Sequence, residues 1–170
     1  MSKLIKIIIL LAIVILAILY LLYFYSYRIN TSPSIPRGIY KLETTKQLKQ
    51  GDLVEVCLPD NLAQYAFDRG YISKGSCSNS YTPLIKKILA IPNDHVVINE
   101  KGIKVNNVFY NLKSQKLDHQ KRALNSQNID QKINGYLLVG MNSKDSWDSR
   151  YFGIIKSKDI KGSMQKIIDF

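Results

Sequence analysis

The strongest hydrophobic pattern lies at the start of the chain. Ile7 to Tyr25 reads IIILLAIVILAILYLLYFY, nineteen residues without a charge, a glycine or a proline. At a rise of about 1.5 Å per residue, this run predicts a helix able to cross a hydrocarbon core of roughly 30 Å. It is apolar on every face, which sets it apart from an amphipathic core helix. A cleaved secretion signal would be shorter and end in small residues. Here the run ends in Tyr23, Phe24, Tyr25 and Tyr27, which suit the interface belt of a retained anchor. Lys3 and Lys6 favour the short side staying in the cytoplasm, and Arg28 dilutes that bias without cancelling it. The expected organisation is a short N-terminus and anchor over residues 1–27, then an extracytoplasmic domain over residues 28–170.

Beyond the anchor the period changes to that of strands. DLVEVCL (Asp52 to Leu58) alternates after a glycine, and LIKKILAI (Leu84 to Ile91) runs from Pro83 to the break at Pro92-Asn93-Asp94. HVVINEKGIKVNNVFY (His95 to Tyr110) predicts a hairpin turning at Glu100-Lys101-Gly102. GYLLVGMN (Gly135 to Asn142) and YFGIIK (Tyr151 to Lys156) predict two further strands. One helix is expected in the domain, over Leu62 to Arg69. Residues 111–134 are polar and rich in Lys, Gln and Asn, and predict an exposed, partly helical excursion. Short strands with one helix make the expected fold class mainly β, an antiparallel sheet assembly behind a transmembrane helix.

Charge and cysteine content narrow the function classes. All thirteen acidic residues and twenty-two of the twenty-four Lys and Arg lie after residue 25, so the domain carries a net +9. Such a field favours anionic headgroups or acidic partners. Nucleic acid is excluded, because the chain has no basic helix or stacking motif and the topology opposes it. In an oxidising compartment the isolated pair Cys57 and Cys77 is expected to form a disulfide, worth on the order of 3 kcal/mol. His95 and His119 stand alone and no cysteine cluster has zinc spacing, so neither a metal nor a cofactor is expected.

The first candidate for chemistry is the stretch TSPSIPRGIY, Thr31 to Tyr40. Pro33 and Pro36 restrict Ser32 and Ile35 to extended conformations, and Gly38 permits a sharp change of direction. This predicts a stiff extended segment with Ser32 and Ser34 on one face, one as nucleophile and one as oxyanion donor. A proline-braced spacer explains the same letters. A serine nucleophile needs a base, and no His stands in a triad context. A neutral lysine serves when burial lowers its pKa. Lys86 shares a face with Leu84, Ile88 and Ala90, and Lys87 shares the other with Ile85, Leu89 and Ile91. Alternation does not choose between them, and lysines snorkelling from an edge strand are the competing reading. In SKDSWDSRYFG, Ser143 to Gly153, Asp148 and Arg150 face the same way in an extended loop. As an ion pair they would brace the hydroxyls of Ser146 and Ser149.

In this order the pieces resemble the type I signal peptidase family, with its Ser/Lys dyad, and more closely its conjugative-transfer (TraF-type) branch. NTSPSIPRGIY is similar to that branch's Ser-x-Pro-x-Gly-x-Tyr box, and GDLVEVCLP to the strand box that follows. PLIKKILAIPNDHV resembles the Lys-Arg…Pro-Gly-Asp box, and VGMNSKDSWDSRYFG the closing Ser-x-Asp-Ser-Arg-x-x-Gly box. The resemblance implies a signal-peptidase type of β catalytic domain with Ser34 as nucleophile and Lys86 as general base. It puts Lys87 where the family usually has Arg, Ser32 at the oxyanion hydroxyl and Ser146 where a serine orients the lysine amine. Asp148 and Arg150 fall on the family's structural pair. Asn93 departs from the usual Gly and implies a left-handed Asn. Met141 and Ser143 replace the Asp and Arg of housekeeping enzymes, and Cys57 with Cys77 suits the conjugative branch. The implied function is serine endopeptidase cleavage of signal or leader peptides at a bacterial inner membrane, with the domain in the periplasm. The implied partners are the membrane and an exported preprotein or propilin, with no cofactor. The competing readings are a general housekeeping signal peptidase and a non-catalytic scaffold of a secretion or conjugation apparatus.

Overall fold

The computed structural model describes residues 2–44 and 47–170. Lys3–Phe24 form helix α1, opened by Ser2, whose hydroxyl accepts the Ile5 N–H at 3.4 Å. None of its residues is buried against the rest of the chain, and it is long and apolar enough to cross a membrane. Past Ser26, in a left-handed conformation at φ 66°, the chain enters β1 (Tyr27–Asn30) and then β2 (Gly38–Glu43). Next come β3 (Leu53–Val56), α2 (Asp60–Asp68) and β4 (Leu84–Ala90). The strands β5 (His95–Asn99), β6 (Gly102–Val105), β7 (Val108–Tyr110), β8 (Ile129–Lys132) and β9 (Leu137–Val139) follow. A single helical turn, α3 (Ser149–Phe152), and the long β10 (Ile160–Asp169) close the chain.

The strands build two antiparallel sheets, one ordered β1-β2-β10-β3-β4-β9 and one ordered β7-β6-β5-β8. The fold is mainly β, with the apolar helix in front. β4 sits between β3 and β9, with Val54 opposite Lys86 and Val139 opposite Lys87. Its side chains feed different cores. Ile88 joins Val54, Val56, Leu138, Trp147 and Phe152, while Leu89 and Ala90 join Val96, Ile103 and Leu137. A smaller cluster of Ile35, Tyr40 and Met164 sits beneath the segment between β1 and β2. Cys57, just past β3, is bonded to Cys77, with Cα atoms 5.7 Å apart.

Several elements differ from the expectation, each for a physical reason. The helix begins at Asp60 rather than Leu62 and ends at Asp68: Asp60 puts a carboxylate in the first turn, where the helix dipole favours it, and Ala63 and Ala66 face the core. The hairpin turns where expected, but its second arm breaks at Asn106, left-handed at φ 51°, and β7 folds back on β6. Tyr151 to Lys156 is not a strand. Asp148 accepts the Arg150 N–H and starts α3 there, leaving one bridge between Ile155 and Tyr136. Residues 111–134 contain no helix; they run over the surface, pair Leu117 with Ala123, and end in β8 against β5. β10 escaped notice because shifts at Ile160/Gly162 and Lys166/Ile168 break its period of two. Asn93 is left-handed at φ 76°, as its place in the turn required.

Candidate active site

The Ser32–Ser34 segment is a turn, not the extended strand that the prolines suggested. Asn30, at the end of β1 and 7% exposed, organises it. Its side-chain amide donates to the carbonyls of Ser32 and Pro36 at 3.0 Å each, and its oxygen accepts the Ser32 N–H at 3.2 Å. The Tyr40 hydroxyl ties down the Pro36 carbonyl at 2.7 Å. Ser32 and Ser34 therefore meet through the turn rather than through alternation, with the Ser34 N–H donating to Ser32 Oγ at 3.3 Å. The Ser34 carbonyl accepts the Asn142 N–H at 3.1 Å, which fastens the turn to the loop after β9.

Strand pairing separates the two lysines that alternation left level. Lys86 is 3% exposed, on the Leu84 and Ile88 face of β4 and opposite Val54, which is wholly buried. Lys87 points to the other face and is half-buried. Among the described residues, Lys86 Nζ donates to Ser146 Oγ at 2.7 Å, not to Ser34. Burial pushes its amine down from 10.5 to about 8, with the Asp148 carboxylate pulling it back up and Arg150 pushing it down.

Behind this pair lies a fully buried ion pair. Asp148 and Arg150 are 0% and 1% exposed, and two Arg150 nitrogens reach the carboxylate at 2.8 Å each. The remaining guanidinium bonds go to the carbonyls of Ser146 at 3.0 Å and Lys113 at 2.8 Å. Asp148 Oδ2 also accepts the Gly140 N–H, and Ser149 Oγ accepts the Leu138 N–H, both at 2.9 Å. With its partners satisfied, the pair is a rigid backing for Ser146.

Ser32, Ser34 and Lys86 line one cleft of about 900 Å³, shared with Tyr71, Trp147 and Ser143. Gly140 packs between the two halves of the site. A Cβ there would lie 3.0 Å from Ser34 Cβ and 2.6 Å from Ser146 Cβ, and closer still to Ser146 Oγ. Asn30 and Gly140 were missed in the sequence reading. A signal existed for each, an Asx residue before a Ser-Pro turn and a glycine inside a strand pattern. No group of three or more His, Cys, Asp or Glu is gathered among the described residues.

The arrangement joins a hydroxyl on a fixed turn, a buried amine of lowered pKa and a second hydroxyl beside the first. Comparison with known proteins bears on the family. The sequence profile described as signal peptidase, peptidase S26, matches residues 1–168. The conjugal transfer protein TraF of Agrobacterium fabrum is 32% identical over 146 residues, 85% of this chain and 83% of that protein. A plasmid transfer protein TraF of Escherichia coli is 32% identical over 146 residues, 83% of this chain and 82% of its own. A solved signal peptidase I of Enterococcus faecalis aligns with 71% of this chain and 98% of its own at a TM-score of 0.39 and 18% identity. The family follows from the profile match, with the two TraF proteins beside it: the chain belongs to the signal peptidase family, peptidase S26.

Proposed function

We propose that the protein is a membrane-anchored serine endopeptidase in which Ser34 is the nucleophile and Lys86 the general base. The observation that carries this reading is Lys86 itself: an amine buried in a strand, held at about 8 and bonded to Ser146, in the cleft that Ser34 lines. A buried structural lysine would pair with a carboxylate; this one meets a hydroxyl. Ser34 Oγ attacks the peptide carbonyl while neutral Lys86 takes its proton. The oxyanion draws the Ser34 N–H and the Ser32 hydroxyl, which bond each other at rest. Collapse expels the amine, which takes the proton from Lys86, and water then releases the acyl group with Lys86 again as base. Ser146 orients the amine, and Asp148 with Arg150 supports Ser146.

The relatives' names speak of conjugal and plasmid transfer. We extend that to the substrate, an exported preprotein of a conjugation apparatus such as a propilin, held at the membrane by its own apolar segment. In this reading α1 crosses the inner membrane once, and residues 28–170 form the periplasmic catalytic domain. The test is cleavage of a propilin-like substrate in vesicles, read by mass spectrometry. Ser34→Ala and Lys86→Met should each lower the rate roughly ten-thousandfold or more, and Lys87→Met only slightly. Equal cleavage by wild type and Ser34→Ala would return Ser34 to a braced spacer and the protein to a scaffold. Broad cleavage of unrelated preproteins would favour a housekeeping signal peptidase.

A further inference from the structure

One wall of the cleft is unlike the strands around it. Residues 70–76 line the cleft without a break, yet apart from a single bridge at Lys74 they belong to no helix or strand. Its backbone pairs with its own return arm, residues 80–82, and beyond that short ladder it is fastened at both ends. At its start, Tyr71 donates its hydroxyl to Asp118 at 2.6 Å. Asp118 also takes Arg122 Nε at 2.8 Å and Arg69 Nη1 at 3.3 Å, and Arg122 reaches the Arg69 carbonyl at 2.6 Å. Burial pushes the Asp118 carboxyl up, but hydrogen bonds from Tyr71 and Arg122 more than offset it and hold it well below the usual carboxylate range.

At its far end the wall runs into Cys77, bonded to Cys57 at the end of β3. At the far fastener the chain doubles back as a narrow hairpin, turning where the Ser80 N–H donates to the Cys77 carbonyl at 2.7 Å. The Thr82 N–H donates to the Ser73 carbonyl at 2.8 Å and the Gly75 N–H to the Ser80 carbonyl at 2.9 Å. The two arms are so close that a Cβ on Gly75 would lie 2.6 Å from Thr82 Cα. The second arm continues through Pro83 into β4, which carries Lys86. Lys86 itself depends on neither fastener, since β3, β9 and Ser146 hold it.

We propose that the Cys57–Cys77 disulfide is a positioning element of the substrate cleft: it fixes the wall of residues 70–76, so the oxidation state sets substrate affinity while the chemistry at Ser34 and Lys86 persists. The inference rests on the peptidase reading above. A dithiol supplies two electrons and two protons, becoming a disulfide itself and leaving Cys57 and Cys77 as thiols. The released wall then has to be ordered each time a substrate binds, and that ordering weakens binding rather than the chemical step.

The test uses the full chain in vesicles, oxidised, reduced by dithiothreitol with both thiols confirmed by alkylation and mass, and as Cys57→Ser/Cys77→Ser. With a membrane-held peptide substrate, KM should rise roughly tenfold or more in both unbridged forms while kcat stays within about threefold. Gly75→Ala, which displaces the wall with the bridge intact, should raise KM in the same way. An unchanged KM in confirmed reduced protein overturns the proposal, and so does a fall in kcat alone. Should both unbridged forms lose their cooperative melt, Gly75→Ala decides, and a KM equal to wild type there overturns it. Binding of the same peptide to Ser34→Ala, oxidised against reduced, reads the wall without catalysis. If oxidised wild type cuts nothing, the peptidase reading fails, and the binding ratio still supports or sinks the wall.

Discussion

Lys86 lies opposite Val54 and between Leu84 and Ile88 on one face of β4, and burial in that company lowers its amine to about 8. A base works only when unprotonated, so the proposed role of Lys86 fixes the sign: activity should be low below that value and rise with pH through it. In a pH profile, kcat/KM should climb about tenfold per pH unit up to the midpoint near 8 and then level. A profile flat across that range would show that another group takes the proton. Gly140 makes the second prediction at this scale. Its missing side chain leaves room for Ser34 and Ser146 to approach each other. Gly140→Ala should fold normally by circular dichroism yet lose on the order of a hundredfold in kcat, since a misplacement of about 1 Å is enough. An active Gly140→Ala enzyme would mean the two serines need not be so close. Ser34 was legible as a candidate because prolines bracket it, but the turn that brings Ser32 to it was not. That turn depends on Asn30, whose bonds reach carbonyls two and six residues on.

Among elements, β9 shows how the site is built into the sheet. It is a terminal strand of the six-stranded sheet, and its outer edge would be open. Side chains of the loop and turn leading to α3 close it instead: Ser149 Oγ takes the Leu138 N–H and Asp148 the Gly140 N–H. The loop that backs the site thus also caps the sheet. Ser149→Ala leaves a buried donor unpaired and should cost about 1–3 kcal/mol in urea unfolding. Asp148→Asn should cost more, about 3–5 kcal/mol, because Arg150 is left as an uncompensated buried charge. The reverse order would show that the ion pair is not what holds the loop. Alternation revealed β4 and β5 because β4 keeps an unbroken register with β3, and β5 with β6 and β8. It missed β10, where bulges break the period, and it mistook YFGIIK for a strand because a capped turn can carry strand-like residues.

For the whole molecule, α1 stands apart from the sheets, with no residue buried against them. Removing residues 2–24 should therefore leave the melting temperature of the remaining chain within about 3 °C, while cleavage of a membrane-held substrate falls. A large loss of thermal stability would mean that the helix braces the domain after all. The sequence by itself determined the features carried by local physics. A continuous apolar run predicts a helix of membrane length, period-two runs predict strands, and a pair of cysteines in an oxidising compartment predicts a bond. Four short boxes in order were enough to place the candidate residues. Only the tertiary structure decided which lysine is buried, because both faces of β4 are apolar and only the packing of the sheet separates them. It also decided that Asp148 and Arg150 are fully buried and that residues 70–76 form a wall of the cleft. Burial, and the pKa shift that follows from it, belongs to groups brought together across 60 residues of chain, and no local pattern encodes that meeting.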